Sequence, residues 1–391
     1  MKYIVNLFRS KLFIQIFLLK TLGTLFGMFV YGRLVGGLGD SRRYLSAELN
    51  FSFEALTSRT FFTDNFFALL TQIFPNVIAS LIPSIFLGYV IWWSFRSLYY
   101  SFLNKFLFWI SLLLPQFVIW SGAAGKEVIA ITAFLVMIKA TVNIIIKGKL
   151  DFNKHYLALA LFLGYLMRPH YFIAYFTLLV IAYLGIKIKG VKTIKITNSI
   201  ALVILINLSI LLGVLLFLTS DQWSPFLNNV MATSKSYFLS FDGESNRLNV
   251  HWSEIEDFFA NMWWGIPTSI IGPTIDEALA RPLFIPVFLE GVVSLMLIFY
   301  LLFKLINTAT PYPQYKSIVF YGFIPALVLA MVVHYPFGIF NPGSALRYKQ
   351  ALAPLFYFYP LLFMAEVRKA NKISSLFQLH KSVNLGSVSI K

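Results

Sequence analysis

The chain has 391 residues, 58% of them hydrophobic and only 12% charged, including 41 Phe, 20 Tyr and 8 Trp. Soluble domains average about 25% charged and roughly 45–50% apolar residues, so this surplus cannot all be hidden in one soluble core. Intrinsic disorder and a DNA-binding basic domain are excluded together. The absence of cysteine removes disulfides, thiolate nucleophiles and cysteine metal sites.

Spanning ~30 Å of hydrocarbon takes about 20 apolar residues. Runs of that kind are predicted at roughly 12–35, 75–95, 106–122, 128–146, 155–167, 171–186, 198–219, 284–303, 317–334 and 349–366. The runs at 106–122, 155–167 and 171–186 are short and read as tilted, broken or re-entrant. The expected fold is therefore an all-α, polytopic integral membrane helical bundle of about ten transmembrane segments (eight to twelve). The first run is long and lacks a small-residue cleavage site, so it reads as a retained helix and not as a signal peptide.

The net charge of +16 sets the topology. Most of the 32 basic residues fall in short loops on one side, from Lys2, Arg9 and Lys11 to the tail that begins at Arg368. All but three of the 16 acidic residues fall on the other side. The positive-inside bias then makes both termini cytoplasmic and removes the need for a nucleic-acid partner. Residues 1–367 form one helical domain with long outer loops at about 36–74 and 220–283, and 368–391 is a basic cytoplasmic tail. Acids interleaved with apolar residues from Ser253 to Phe259 predict a helix along the interface in the second loop, among tryptophans that favour that depth.

Ionisable groups at membrane depth or at helix mouths are costly and invite a functional account. Asp40 follows Gly36-Gly37 and Gly39, with Arg43 and Tyr44 behind it. It is either an exposed turn aspartate or a carboxylate able to take a proton from a hydroxyl nucleophile. Pro115…Trp120-Ser121-Gly122…Gly125-Lys126-Glu127 breaks one run and opens the next. Its Lys126 and Glu127 are either a loop-end ion pair or, for Lys126, a phosphate contact at a helix start. Arg168-Pro169-His170 places a permanent cation where the chain reverses. It is a snorkelling arginine or a guanidinium fork for phosphate. Asn341-Pro342-Gly343…Arg347-Tyr348-Lys349 sets two cations where positive residues are avoided. They either anchor a helix end or face an anionic partner. Gly272–Pro282 reads as a structural loop, His334 as a satisfied histidine, and Lys20 and Lys139 as no site on their own. His170 lacks a companion at metal-ligand spacing, so no metal and no cofactor is expected. No P-loop, dinucleotide fingerprint, HExxH site or nucleophile elbow is present.

Asp40, Lys126, Arg168 and Arg347 come from four separated stretches that all fall on the outer side. One acid and three cations suit transfer to a hydroxyl with a phosphate leaving group.

The Pro115…Trp120-Ser121-Gly122…Gly125-Lys126-Glu127 turn, the Arg168-Pro169 step and the Asn341…Gly343…Arg347-Tyr348 entry resemble membrane enzymes of bacterial surface-polysaccharide assembly. Two families share the resemblance: family C glycosyltransferases, and O-antigen or capsule polymerases. Gly39-Asp40 with Tyr44 is similar to the first-loop acidic motif of the former, although no second acid adjoins it. The resemblance implies a bacterial inner-membrane enzyme using a polyprenyl (pyro)phosphate-linked glycan at the periplasmic face. Asp40 would be catalytic, with Lys126, Arg168 and Arg347 binding phosphate. Arg43, Tyr44, Glu127, His170 and Tyr348 would support them. The partners it implies are the lipid-linked glycan, the bilayer and other assembly proteins. A flippase for the same lipid is the alternative.

Overall fold

A computed structural model describes residues 10–34, 37–50, 52–96, 101–150, 152–190, 224–239 and 246–386. The segment expected at 198–219 lies outside these, as do Lys2, Arg9, Asp221, Trp223, Asp242 and Glu244. The described residues are mostly helical and contain no strand.

Five helices are long and apolar enough to cross a membrane. They are α1 (Lys11–Leu34), α5 (Asn76–Phe95), α8 (Lys126–Lys147), α14 (Pro282–Ala309) and α15 (Tyr315–Phe340). A sixth span results if α16 (Pro342–Leu352) and α17 (Pro354–Lys372), bent by 47° at Ala353, count as one. Between α1 and α5 lie the short helices α2 (Ser41–Leu45) and α3 (Glu54–Thr57) and the longer α4 (Arg59–Ile73).

Three of the expected segments are shorter pieces. The run at 106–122 divides at Leu114 into α6 (Phe102–Leu113) and α7 (Pro115–Trp120), because Pro115 cannot donate to the preceding turn. The runs at 155–167 and 171–186 become α9 (Lys154–Met167) and α10 (Pro169–Gly190), which break at Arg168. At 1.5 Å per residue α9 reaches only ~21 Å. α11 (Ser224–Leu239), α12 (Ile255–Ile271) and α13 (Ile275–Ala280) complete the set.

α8 is the central post. It is far more deeply buried than the other spans, and it packs on α5, α9, α10 and α17. Phe134 of α8 stacks on Tyr175 of α10 at 4.1 Å. Gly148 ends α8 with φ +70, the left-handed cap that glycine adopts at little cost.

The acidic stretch 253–259 starts α12. Asp257 accepts from Ser253 N (2.6 Å) and Glu254 N (3.0 Å) in a capping box. The stretch 272–282 is a structural corner. Thr274 and Glu277 form a second capping box on α13, and Arg247 forks onto Glu277 at 2.6 Å through both Nε and Nη2. Arg247 Nη1 also donates to Gly338 O at 2.8 Å and Nη2 to Gly272 O at 2.9 Å. One side chain thus ties the stretch before α12 to the end of α15.

Candidate functional site

Four elements meet at one end of the bundle. Glu127 lies in the first turn of α8 with its side chain 2% exposed. Arg168 sits at the α9–α10 break, where its non-helical backbone (φ −145, ψ 67) and Pro169 stop the helix. Arg347 rides on α16, whose start is fixed by Pro342 and by Asn341 Oδ1 accepting from Ser344 N at 3.1 Å. Asp40 occupies the turn before α2. Gly39 there takes φ +52, and an added Cβ would stand 2.7 Å from Arg347 Nη1. The left-handed conformation favours glycine, and a side chain there would have to displace the Arg347 guanidinium.

These side chains form a continuous ionic chain. Arg168 Nη2 donates to Glu127 Oε1. Arg347 Nε donates to the same oxygen at 2.8 Å, and its Nη2 reaches Glu127 Oε2 at 3.4 Å. Arg347 Nη2 also meets Asp40 Oδ2 at 3.3 Å. Arg43 closes the outer edge, 3.6 Å from both Asp40 Oδ1 and Asp64 Oδ1. Arg168 is buried at 3% exposure, so it does not snorkel. Its contact with a carboxylate from another helix replaces water.

Aromatic rings line the chain. The Arg168 guanidinium lies 4.2 Å from the Tyr348 ring centroid. Arg347 lies 5.7 Å from Tyr348 and 5.4 Å from Trp120. Such contacts favour a cation held away from water. His170 stacks on Phe337 at 4.9 Å, and its buried Nε2 has no hydrogen-bond partner among the described residues. Tyr44 is buried, with its hydroxyl 3.5 Å from Asp40 Oδ2. Burial, and then the charge of Asp40, push its phenol above the ordinary range, so Tyr44 keeps its proton.

The expected clamp is divided. Arg168 and Arg347 converge with Asp40, as anticipated, but on Glu127, assigned above only a supporting place. Lys126 turns away and donates to Thr60 Oγ1 of α4 at 2.8 Å, with its ammonium 5.9 Å from the Tyr44 ring. Lys126 and Glu127 form no ion pair with each other. Lys349 is buried and donates to Ile270 O at 2.8 Å, and its electrostatic partner is Glu290. Glu290 accepts from Gln116 N at 3.0 Å, and Gln116 Oε1 accepts from Trp120 Nε1 at 3.0 Å. That acid inside an apolar run was the signal for this second buried cluster. His334 is satisfied, 2.7 Å from the Tyr171 hydroxyl and 3.2 Å from Ser269 O. Lys20 bonds Ser121 O at 3.1 Å, and Lys139 pairs with Glu366 at 3.2 Å. Among the described residues no three His, Asp or Glu side chains group to hold a metal ion.

The fold and site define an all-helical chain with long apolar helices, typical of a membrane protein, and a buried arginine–carboxylate network at one end. Comparison with known protein families, curated proteins and solved structures finds no match.

Proposed function

We propose that this chain is a polytopic enzyme of the bacterial inner membrane, with about ten passes and both termini cytoplasmic. It transfers a sugar or oligosaccharide from a polyprenyl (pyro)phosphate to a hydroxyl acceptor at the periplasmic face, in surface-polysaccharide assembly. One observation carries the reading: four distant stretches bring Asp40, Glu127, Arg168 and Arg347 into one network with a surplus of positive charge. Arg43, Arg59, Lys126, Arg168 and Arg347 outnumber Asp40, Asp64 and Glu127 by two. Such an excess in a partly dry site suits an anionic leaving group.

Asp40 is the base in this reading, because at 41% side-chain exposure it is far more open than Glu127. The acceptor O–H gives its proton to Asp40 as its oxygen bonds the anomeric carbon. The bond from that carbon to the phosphate oxygen breaks, and its electron pair leaves on the phosphate. Arginine and lysine stabilise that charge.

A second reading, translocation of the same lipid-linked glycan, is favoured by the Lys139–Glu366 pair. It sets further buried charge on α8, ~18 Å from Glu127. Purified protein in vesicles, given a lipid-linked glycan without ATP, decides between them. Elongation or decoration of an acceptor, abolished in Asp40→Asn, supports the enzyme. Translocation without a new glycosidic bond supports the carrier.

A further inference from the structure

Two cations beside the network have no carboxylate in contact. Lys126 is buried at 8% exposure, and among the described residues its ammonium bonds the Thr60 hydroxyl alone. Arg59 is the neighbour of Thr60 at the start of α4, and its guanidinium makes no ion pair or hydrogen bond among the described residues. Arg59 lies within electrostatic reach of Lys126 and His170. At Lys126 the like charges of Arg59 and Arg168 act more strongly than the opposite charges of Asp40 and Glu127. Burying an uncompensated ammonium against a second cation is costly. A fold retains such a pair where a ligand supplies the missing negative charge.

Two further buried atoms belong to residues within electrostatic reach of these cations. Arg168 Nε and His170 Nε2 have no hydrogen-bond partner among the described residues, although the large majority of buried side-chain polar atoms are satisfied in folded chains. The Thr60 hydroxyl already accepts from Lys126, so its own hydrogen is free to be given. By contrast, the Arg347 guanidinium is committed to Glu127 and Asp40.

We propose that Arg59, Thr60 and Lys126 form the seat of a phosphoryl group, with Arg168 Nε and His170 Nε2 facing it, while Arg347 serves as scaffold. The seat takes a phosphate or diphosphate monoanion or dianion, free or at the head of a lipid. It deepens the transfer reading, on which it rests only for the identity of the leaving group.

The test is equilibrium dialysis of radiolabelled inorganic pyrophosphate against the full chain in phosphatidylcholine nanodiscs. A parallel arm uses nanodiscs containing phosphatidylglycerol. One equivalent is expected to bind, at least tenfold more weakly in Arg59→Ala and Lys126→Met. Arg59→Lys should recover part of the loss, which also guards against a folding defect in the alanine variant. Arg33→Ala, an exposed arginine at the end of α1, should bind as wild type. Competition by phosphatidylglycerol assigns the seat to a lipid headgroup, and its absence assigns it to a soluble or diffusible phosphate. Unchanged affinity in Arg59→Ala, or no binding by wild type in both arms, overturns the seat. Pyrophosphate binding that needs Arg59, in a protein that transfers no sugar, overturns the transfer reading alone.

Discussion

Glu127→Gln is the sharpest perturbation of the network. The carboxylate is nearly inaccessible and answers two guanidiniums, Arg168 through Nη2 and Arg347 through Nε at 2.8 Å. The amide keeps the shape and removes the charge. Removing one partner of a buried pair costs about 3–5 kcal/mol, because the cation left behind is dry and unpaired. That corresponds to roughly 10²–10⁴ in the folding equilibrium. Unfolding by SDS titration in mixed micelles reads the change. A thermodynamic cycle identifies the cause, since Arg168→Met removes one stranded charge from the Gln variant. The double variant should therefore be less destabilised than the sum of the singles, with a coupling of about 1–3 kcal/mol. A loss under about 1 kcal/mol for Glu127→Gln, or strict additivity in the cycle, would falsify the idea that this carboxylate organises the site.

Gly39→Ala should cost about 1–2 kcal/mol for the left-handed backbone alone and displace Arg347, seen as weaker protection of the α2 amides in hydrogen exchange. Asp257→Ala should cost about 1 kcal/mol through the lost α12 cap. The N–H groups of Ser253 and Glu254 hold the Asp257 carboxyl down at about 2. Its stabilisation is therefore present above the unfolded value of ~3.9 and is lost as pH falls through about 2. Circular dichroism between pH 5 and 1.5 checks this, and fraying of α12 at pH 5 would contradict it. Glu366→Gln should destabilise by about 3–5 kcal/mol, whereas Lys139→Met with Glu366→Met should recover most of that loss. Equal loss in the single and double variants would show that the pair is not the unit.

The class of fold was legible because composition is a bulk property: too few charges and too much aromatic surface leave only the bilayer as solvent. The four charged stretches were legible because a charge flanked by apolar residues is conspicuous. Which charge answers which was not. Adjacent residues on a helix point about 100° apart, so Lys126 and Glu127 face different neighbours, one toward α4 and the other toward two arginines. Sequence adjacency suggested a pair, and rotation about α8 separates them. The short segments were legible as broken, because proline marks their ends. Pro115 ends α6 inside the run at 106–122, and Arg168-Pro169 falls between the runs at 155–167 and 171–186. Arg59 was inconspicuous in a polar loop, and its meaning depends on Lys126 arriving beside it from another part of the chain.

The two buried ion pairs of α8 have opposite polarity, and this bears on how the bundle is specified. At one end α8 offers a carboxylate, Glu127, to Arg347 on α16. Twelve residues further along it offers an ammonium, Lys139, to Glu366 on α17. Helices in lipid gain little from burying one another's apolar faces, since the tails are as apolar as leucine. Packing alone then discriminates weakly between neighbouring registers of two greasy helices. A slip of one turn would carry both charges of α8 away from their partners at once and leave each unpaired in the interior of the bundle. The second pair therefore acts on the first. By fixing the axial position of α8 against the last helix, Lys139 and Glu366 hold Glu127 where one carboxylate can answer two arginines.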